Sequence, residues 1–293
     1  MNAAQSAFVV GLVFGIALSG CDSRSGGKAT ARVRELNEIP IQQLRVMLKG
    51  YPGDWRSASK VSTREEEPPT EKAVPQGAKR ITLPAAELSN LGVMSVREAI
   101  ARRRSVRQFS EAQVSLEELG YLLWATQGIT GTEKDEEGKI LRQHRAAPSA
   151  GGRYPLETYL AIERVEGLAQ GLYRYLPKEH QLVLIREDPR LSENIGAACY
   201  ETAAAKGAAV TFIWSATPYR TEWKYAYLSH RMIAMEAGHV CENLYVAAES
   251  CRVGVCALLS YHQPWLDALL GLDGVDEFAI YLACVGKSGE VGK

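Results

Sequence analysis

Apolar positions divide this chain into three stretches of different texture. Residues 8–18 form an unbroken run of apolar and small side chains. Residues 22–80 are mostly polar: 23–28 are hydrophilic, and 63–80 mix charges with Pro68, Pro69 and Pro75. From Ile81 onward, short periodic patterns succeed one another almost to the C-terminus. A segment as polar as 22–80 buries too little surface to offset the entropy of ordering it, so it reads as a tether. Within it, Ile41, Leu44, Val46 and Leu48 mark one short helix.

The body beginning near Ile81 mixes helical and strand periods. Ser95-Val96-Arg97-Glu98 and Ser115-Leu116-Glu117-Glu118 both have the capping-box pattern. There a hydroxyl and a following glutamate satisfy two backbone N–H groups at a helix start. The first opens a helix through Ala99, Ile100 and Arg103; the second carries Leu116, Leu119, Leu122 and Leu123 at helical spacing and stops near Gly128. Residues 131–145 read as a charged loop. Strands are expected at 157–163, at 172–176 and 181–185 around a Pro177-Lys178-Glu179-His180 turn, and at 208–215. Residues 191–206 read as helical. A long helix over 225–250 turns Met232, Met235, Val240, Leu244 and Ala247 inward, and strands near 254–259 and 277–285 flank a helix over 264–270. Helices and strands mix without a regular βαβ rhythm, so the class is α+β.

Composition adds limits. With 293 residues, 46% of them hydrophobic, the chain can bury a substantial core. Its 34 Lys and Arg balance 34 Asp and Glu, so no nucleic-acid partner is expected and any basic cluster is a local device. The eleven-residue run 8–18 is too short for a membrane-spanning helix but has the length of a signal-peptide core. It ends in Leu18-Ser19-Gly20-Cys21, the pattern cut before a lipid-bearing cysteine in bacterial lipoproteins. Met1 to Ala7 lacks the usual Lys or Arg, and the competing reading is an apolar N-terminus with a chance cysteine. The expected plan is a signal peptide over 1–20, a tether over 21–80 lipid-anchored through Cys21, and a body over 81–293, on the outer side of a bacterial membrane. Cys199, Cys241, Cys251, Cys256 and Cys284 form no CxxC pair and have no His at zinc spacing. Cys251 and Cys256 would be able to pair in an exported chain, but the favoured reading of all five is small buried hydrophobes, with no metal site expected.

Two segments concentrate chemistry. Arg102-Arg103-Arg104-Ser105-Val106-Arg107-Gln108-Phe109 sets four guanidiniums beside a hydroxyl, groups that match phosphate oxygens. Neighbouring side chains on a helix diverge, so Arg103, Ser105 and Arg107 are the set best placed for one phosphate. The bland alternative is a solvated basic face at a helix C-terminus. Ala147-Pro148-Ser149-Ala150-Gly151-Gly152-Arg153-Tyr154-Pro155 is a small-residue loop that lets backbone amides approach a flat ligand, although Gly and Pro also suit a plain turn. Together the segments suggest a nucleotide cofactor, most economically FMN.

Seven stretches in order then resemble a nitroreductase-fold flavoprotein of the SagB-type dehydrogenase group, thiazoline and oxazoline dehydrogenases. They are 103–109, Leu-Leu-Trp-Ala-Thr-Gln-Gly-Ile-Thr (122–130), 147–157, Gly-Leu-Tyr-Arg-Tyr (171–175), Arg-Thr-Glu-Trp-Lys-Tyr (220–225), Glu-Ala-Gly-His-Val-Cys-Glu-Asn-Leu-Tyr (236–245) and Val-Gly-Lys (285–287). The resemblance implies an α+β fold with a mixed central sheet flanked by helices, and FMN at a homodimer interface. It implies that Arg103, Arg104, Ser105 and Arg107 hold the phosphate and ribityl end, with Gly286 and Lys287 closing on the phosphate. Pro148, Ser149, Ala150 and Gly151 would contact the flavin from the partner chain. Lys224 and Tyr225 match a Lys-Tyr pair implicated in azoline dehydrogenation, in which Tyr would donate or accept a proton while flavin N5 takes hydride, and Lys would lower the Tyr pKa or bind a substrate carbonyl. Without the resemblance they are a surface Lys beside a core aromatic.

Two departures accompany it. Where relatives have a glycine-rich stretch facing flavin N5, this chain reads Cys251-Arg252-Val253-Gly254-Val255-Cys256-Ala257-Leu258-Leu259, with Cys251 or Arg252 in place of the first glycine and Leu259 in place of the last, where a leucine would narrow access or move the backbone. Glu242 stands where Gln is common. Glu236, His239 and Asn243 share one helical face and read as a packing network in preference to a metal site. The implied function is an FMN-dependent oxidoreductase acting on a small molecule or peptide, with a quinone or other redox partner. The alternative is a lipid-anchored flavin-binding or scaffold protein without turnover.

Overall fold

The computed structural model describes residues 45–49, 55–86 and 90–288. The chain divides into two units, 1–52 and 53–293. Of the first, only a 3-10 turn at Arg45–Leu48 and the residue after it are described. The 8–18 run, Cys21 and the rest of the expected short helix lie outside the described residues.

The second unit contains, in chain order, β1 (Arg80–Thr82), α1 (Val96–Arg102), α2 (Leu116–Gln127), β2 (Ile129–Lys134), β3 (Ile140–Arg145), β4 (Leu156–Ile162), β5 (Gly171–Leu176), β6 (Gln181–Glu187), α3 (Leu191–Ala198), α4 (Ala203–Gly207), β7 (Val210–Ala216), α5 (Tyr219–Tyr225), α6 (Ser229–Cys251), β8 (Val253–Leu258), α7 (Gln263–Leu270) and β9 (Phe278–Lys287). Seven strands form one sheet in the order β1-β6-β5-β4-β7-β9-β8. Every neighbouring pair is antiparallel. Among the described residues, parallel pairing is confined to isolated bridges, Ser105 with Val255 and Val114 with Val165.

Alternation along the strands sorts the core into two layers. Leu156, Leu160, Ile162, Phe212, Trp214 and Val285 face α2 and α6, which contribute Leu119, Leu122, Leu123, Val240 and Leu244. Tyr159, Ala161, Ile213, Leu282 and Cys284 face the other way, onto Leu191, Ile195, Ala204, Leu266 and Leu270 of α3, α4 and α7. β4 and β7 are buried on both faces, as strands covered by helices on either side must be.

The structure departs from the sequence expectations at five places. Residues 131–145 are not a loop: 129–134 and 140–145 pair as the β2–β3 hairpin, whose charged, exposed side chains hid a strand identity that cross-strand backbone bonding supplies. The 191–206 helix is broken between α3 and α4, where Tyr200 and Glu201 have φ of 55° and 59°. The 225–250 helix begins at Ser229, because Ala226 (φ 46°, ψ −128°) ends α5 and redirects the chain. Met235 points outward, 57% exposed.

The largest correction concerns residues 55–80, which lie on the body as a strap. Buried Arg153 donates to Pro68 O at 2.7 Å and pairs with Glu67. Buried Arg145 donates to Thr70 O at 2.8 Å, and Arg174 to Lys72 O and Ala73 O, both at 2.9 Å. Lys72 N–H donates to Glu157 at 2.7 Å. A buried guanidinium without acceptors is costly, so these arginines hold the strap's carbonyls. Apolar burial, which the composition rightly denies this segment, is not what orders it.

Candidate active site

The Arg-rich segment lies along the outer edge of β8. Ser95 caps α1 by accepting Glu98 N–H at 3.2 Å, while the Glu98 carboxylate pairs with Arg102 at 2.6 Å. Past α1 the chain extends, and Val106 N–H donates to Val255 O at 2.8 Å. Gly254 and Gly286 are cross-strand partners beneath it. A Cβ at Gly254 would stand 2.8 Å from Val106, and one at Gly286 would stand 2.9 Å from the Phe109 ring. Both glycines make room for this segment, which is the role the structure gives Gly286.

Within the segment, the Arg103 guanidinium sits 5.3 Å from the Tyr245 ring centroid. Ser105 Oγ lies 3.1 Å from Tyr245 Oη, which also accepts Ala257 N–H at 2.8 Å. Either hydroxyl can donate in the Ser105–Tyr245 pair; with the phenol proton on Ser105 Oγ, the serine proton is free to meet a ligand. Arg104 turns back onto the carbonyls of Ala101 and Arg103, at 3.2 and 2.8 Å, and closes the helix end. Arg107 is exposed. Lys287, at the end of β9, pairs with Glu118. The other oxygen of Glu118 accepts Ser115 N–H at 2.9 Å in the full capping box of α2, so one cap also positions the lysine. The neighbouring Cys251 thiol is pushed up to about 12 by burial, with Glu118 raising and Lys287 lowering it.

A second cluster forms around the small-residue loop. Ser149 precedes the 3-10 turn Ala150–Gly152, in which Gly151 has φ 62°. Ser149 Oγ accepts Tyr154 N–H at 2.8 Å. From α6, Glu236 accepts the Ser149 hydroxyl and Ala150 N–H, and burial pushes its carboxyl up to about 7. Half-buried Lys224 and Tyr225 stand in the last turn of α5. A Cβ at Gly151 would lie 2.6 Å from Tyr225 Oη and 2.9 Å from Lys224 Nζ, so both groups converge on the one position that has no side chain. α5 is fixed by Arg220, which donates to Tyr154 O at 3.1 Å and to Glu157 at 2.5 Å. Burial alone would raise Glu157, but Arg220 and then Arg174 outweigh it and hold the carboxyl below its usual value.

The two clusters meet α6 at Tyr245 and Glu236, nine residues and therefore about 14 Å apart along the axis. Glu236 is buried and His239 exposed, and Asn243 donates to Ala125 O at 2.9 Å, tying α6 to α2. Among the described residues no group of His, Cys, Asp or Glu has the makings of a metal site. All five body cysteines are buried and unpaired by disulfides. Leu259 is 70% exposed, outside the core. Tyr245, Glu118 and Glu236 are site-positioning residues that sequence reasoning did not assign; only Glu118, through its capping box, carried a local signal.

A twisted antiparallel sheet between two helical layers, with a cationic segment on one edge and a small-residue loop beside a Lys-Tyr pair, defines a fold of the nitroreductase type. Residues 100–287 match the Nitroreductase family, and this chain belongs to it. A Methanocaldococcus jannaschii protein that carries a nitroreductase name is 29% identical over 201 residues, 69% of this chain and 95% of its own length. The trifolitoxin-processing protein TfxB of Rhizobium leguminosarum is 24% identical over 147 residues, 49% of this chain and 39% of that protein. Among solved structures, a nitroreductase-named chain from Ralstonia eutropha has a TM-score of 0.57 at 25% identity, covering 74% of this chain and 93% of that one. One from Anabaena variabilis scores 0.59 at 22% identity over 73% of this chain, which spans only 42% of it. The E. coli microcin synthetase McbBCD complex with truncated pro-MccB17 scores 0.54 at 17% identity, covering 91% and 95%. Among the described residues no helix is long and apolar enough to cross a membrane.

Proposed function

We propose that this protein is an FMN-dependent oxidoreductase of the SagB-type dehydrogenase group, working as a homodimer on a small molecule or a peptide. The observation that carries the reading is the convergence of Lys224 Nζ and Tyr225 Oη on Gly151, in the loop that the resemblance implies would contact the flavin of the partner chain. The phosphate end has a matching set of donors: the Arg103 guanidinium, the Ser105 hydroxyl and the Lys287 ammonium, gathered by Tyr245, Glu118 and the edge of β8. Arg107 is exposed and available to the same phosphate, whereas Arg104 serves the helix end first. Pro148, Ser149, Ala150 and Gly151 present little beyond Cβ, which suits a flat ring.

Bound FMN would supply hydride transfer at its N5. The chain's own part is to hold the phosphate at Arg103, Ser105 and Lys287, to bind a substrate carbonyl at Lys224 Nζ, and to move a proton at Tyr225 Oη. Glu236 keeps the loop in place by holding Ser149 and Ala150. A peptide substrate is favoured by the trifolitoxin-processing relative. The homodimer is favoured by α1, which buries only Ala99 and leaves Val96 66% and Ile100 59% exposed. The N-terminal run and Cys21 support attachment to the outer side of a bacterial membrane, with a quinone or other redox partner.

The test is the visible absorption spectrum of the purified full chain beside Arg103→Ala combined with Lys287→Ala. Flavin bands are expected in the former and not in the latter. A colourless wild-type protein that also refuses added FMN would leave a scaffold on a borrowed fold. A yellow protein inert toward hydride donors and acceptors would leave flavin binding without turnover.

A further inference from the structure

The strap reaches the Lys224–Tyr225 pair. Trp55 lies against Tyr225, ring centroids 5.3 Å apart and planes inclined by 40°. The next residues fasten to α5 by backbone groups. Lys60 N–H donates to Trp223 O at 2.8 Å, and the buried Ser59 hydroxyl reaches the same carbonyl at 3.4 Å. Trp223 Nε1–H donates to Glu65 O at 3.1 Å, and the Tyr219 hydroxyl reaches the Glu65 carboxylate at 3.5 Å. Arg153, which follows the Gly151 loop, pairs with Glu67, donates to Pro68 O and stacks 5.1 Å from the Trp223 ring centroid. One segment therefore grips both sides of the candidate site, the loop and the helix. It ends by setting the largest of side chains against the tyrosine whose hydroxyl faces Gly151.

We infer that Trp55 is a wall of the Lys224–Tyr225 site and a specificity-determining residue, limiting the width of what reaches the pair. The inference rests on the role proposed for Lys224 and Tyr225. Tyr225 has Gly151 at its hydroxyl, the Lys224 ammonium 5.8 Å from its ring centroid, and the indole of Trp55 beside its ring. Of these three groups, the indole alone is supplied from outside residues 100–287, the span matched by the family. The site in this chain is therefore narrower than its family segment alone would make it. The strap's hold on α5 runs through Ser59, Lys60 and Glu65, and its hold on Arg153 through Glu67 and Pro68, so removing the indole leaves both in place.

The experiment compares the full wild-type chain with Trp55→Ala and Trp55→Phe. Lys224 is labelled with trinitrobenzenesulfonate and Tyr225 with tetranitromethane, and both are quantified by peptide mass spectrometry with exposed Tyr200 as the internal reference. Labelling at 224 and 225 is expected to be several-fold faster in Trp55→Ala, intermediate in Trp55→Phe and unchanged at Tyr200. Equal rates in all three proteins would overturn the wall. Benzoate and naphthoate are then titrated as protectants of Lys224. Naphthoate is expected to gain on benzoate when the indole is removed; equal protection in all three proteins, or none, would overturn the role in specificity. The visible spectrum of the same samples reports the flavin separately. Loss of colour would count against the cofactor reading while leaving the labelling result to stand on its own.

Discussion

Glu236 shows how far one side chain can depend on where the chain folds. It was legible only as one of three polar residues on a helical face. In the structure it is buried under the Ser149–Ala150 loop, and burial raises its carboxyl from 4.5 to about 7. Between those two values the folded protein binds a proton that the unfolded chain has released, so stability falls as pH rises through the window. The loss amounts to something on the order of 3 kcal/mol once both forms are ionised. Glu236→Gln cannot titrate, and its urea midpoint should drop less across that window than the wild-type midpoint, the remaining slope coming from Glu71 and Asp267, whose carboxyls burial also raises. Parallel curves would show that the carboxyl is not buried as described. Glu157 runs the opposite way because two guanidiniums outweigh its burial. The sequence contains both glutamates but not the partners that separate them.

At the level of elements, local chemistry was the most readable part. The Ser115 capping box, the stop at Gly128 and the β5–β6 hairpin around residues 177–180 all stand where the sequence put them. The breaks at Tyr200, Glu201 and Ala226 were not readable, since positive φ at residues other than glycine is imposed by the surroundings. The outward turn of Met235 was likewise hidden, because an exposed methionine at helical spacing looks like a buried one. Its exposure, like that of Val96 and Ile100 on α1, leaves apolar side chains available to the proposed homodimer. Light scattering should find the wild-type chain at twice its 32.1 kDa mass and Ile100→Glu combined with Met235→Glu at that mass. A wild-type protein already running as one copy would remove the dimer from the proposal.

For the whole molecule, the proposed lipid anchor is open to direct test. Expressed in a bacterium with radiolabelled palmitate, the wild-type chain should carry label in the membrane fraction and Cys21→Ala should not; an unlabelled wild type would end the anchor reading. The sequence by itself determined the class, most of the helices and central strands, the Arg-rich segment, the small-residue loop and the resemblance to the nitroreductase fold, because each depends on short-range periodicity or on contiguous motifs. Only the tertiary structure decided that Gly254 and Gly286 lie beneath Val106 and Phe109, that Lys224 and Tyr225 converge on Gly151, and that a polar segment expected to be a free tether straps the site. The physical reason is the same in each case. These facts are set by pairings between residues far apart in the chain, above all buried arginines that need carbonyls from elsewhere, and neither composition nor spacing carries a record of such pairings.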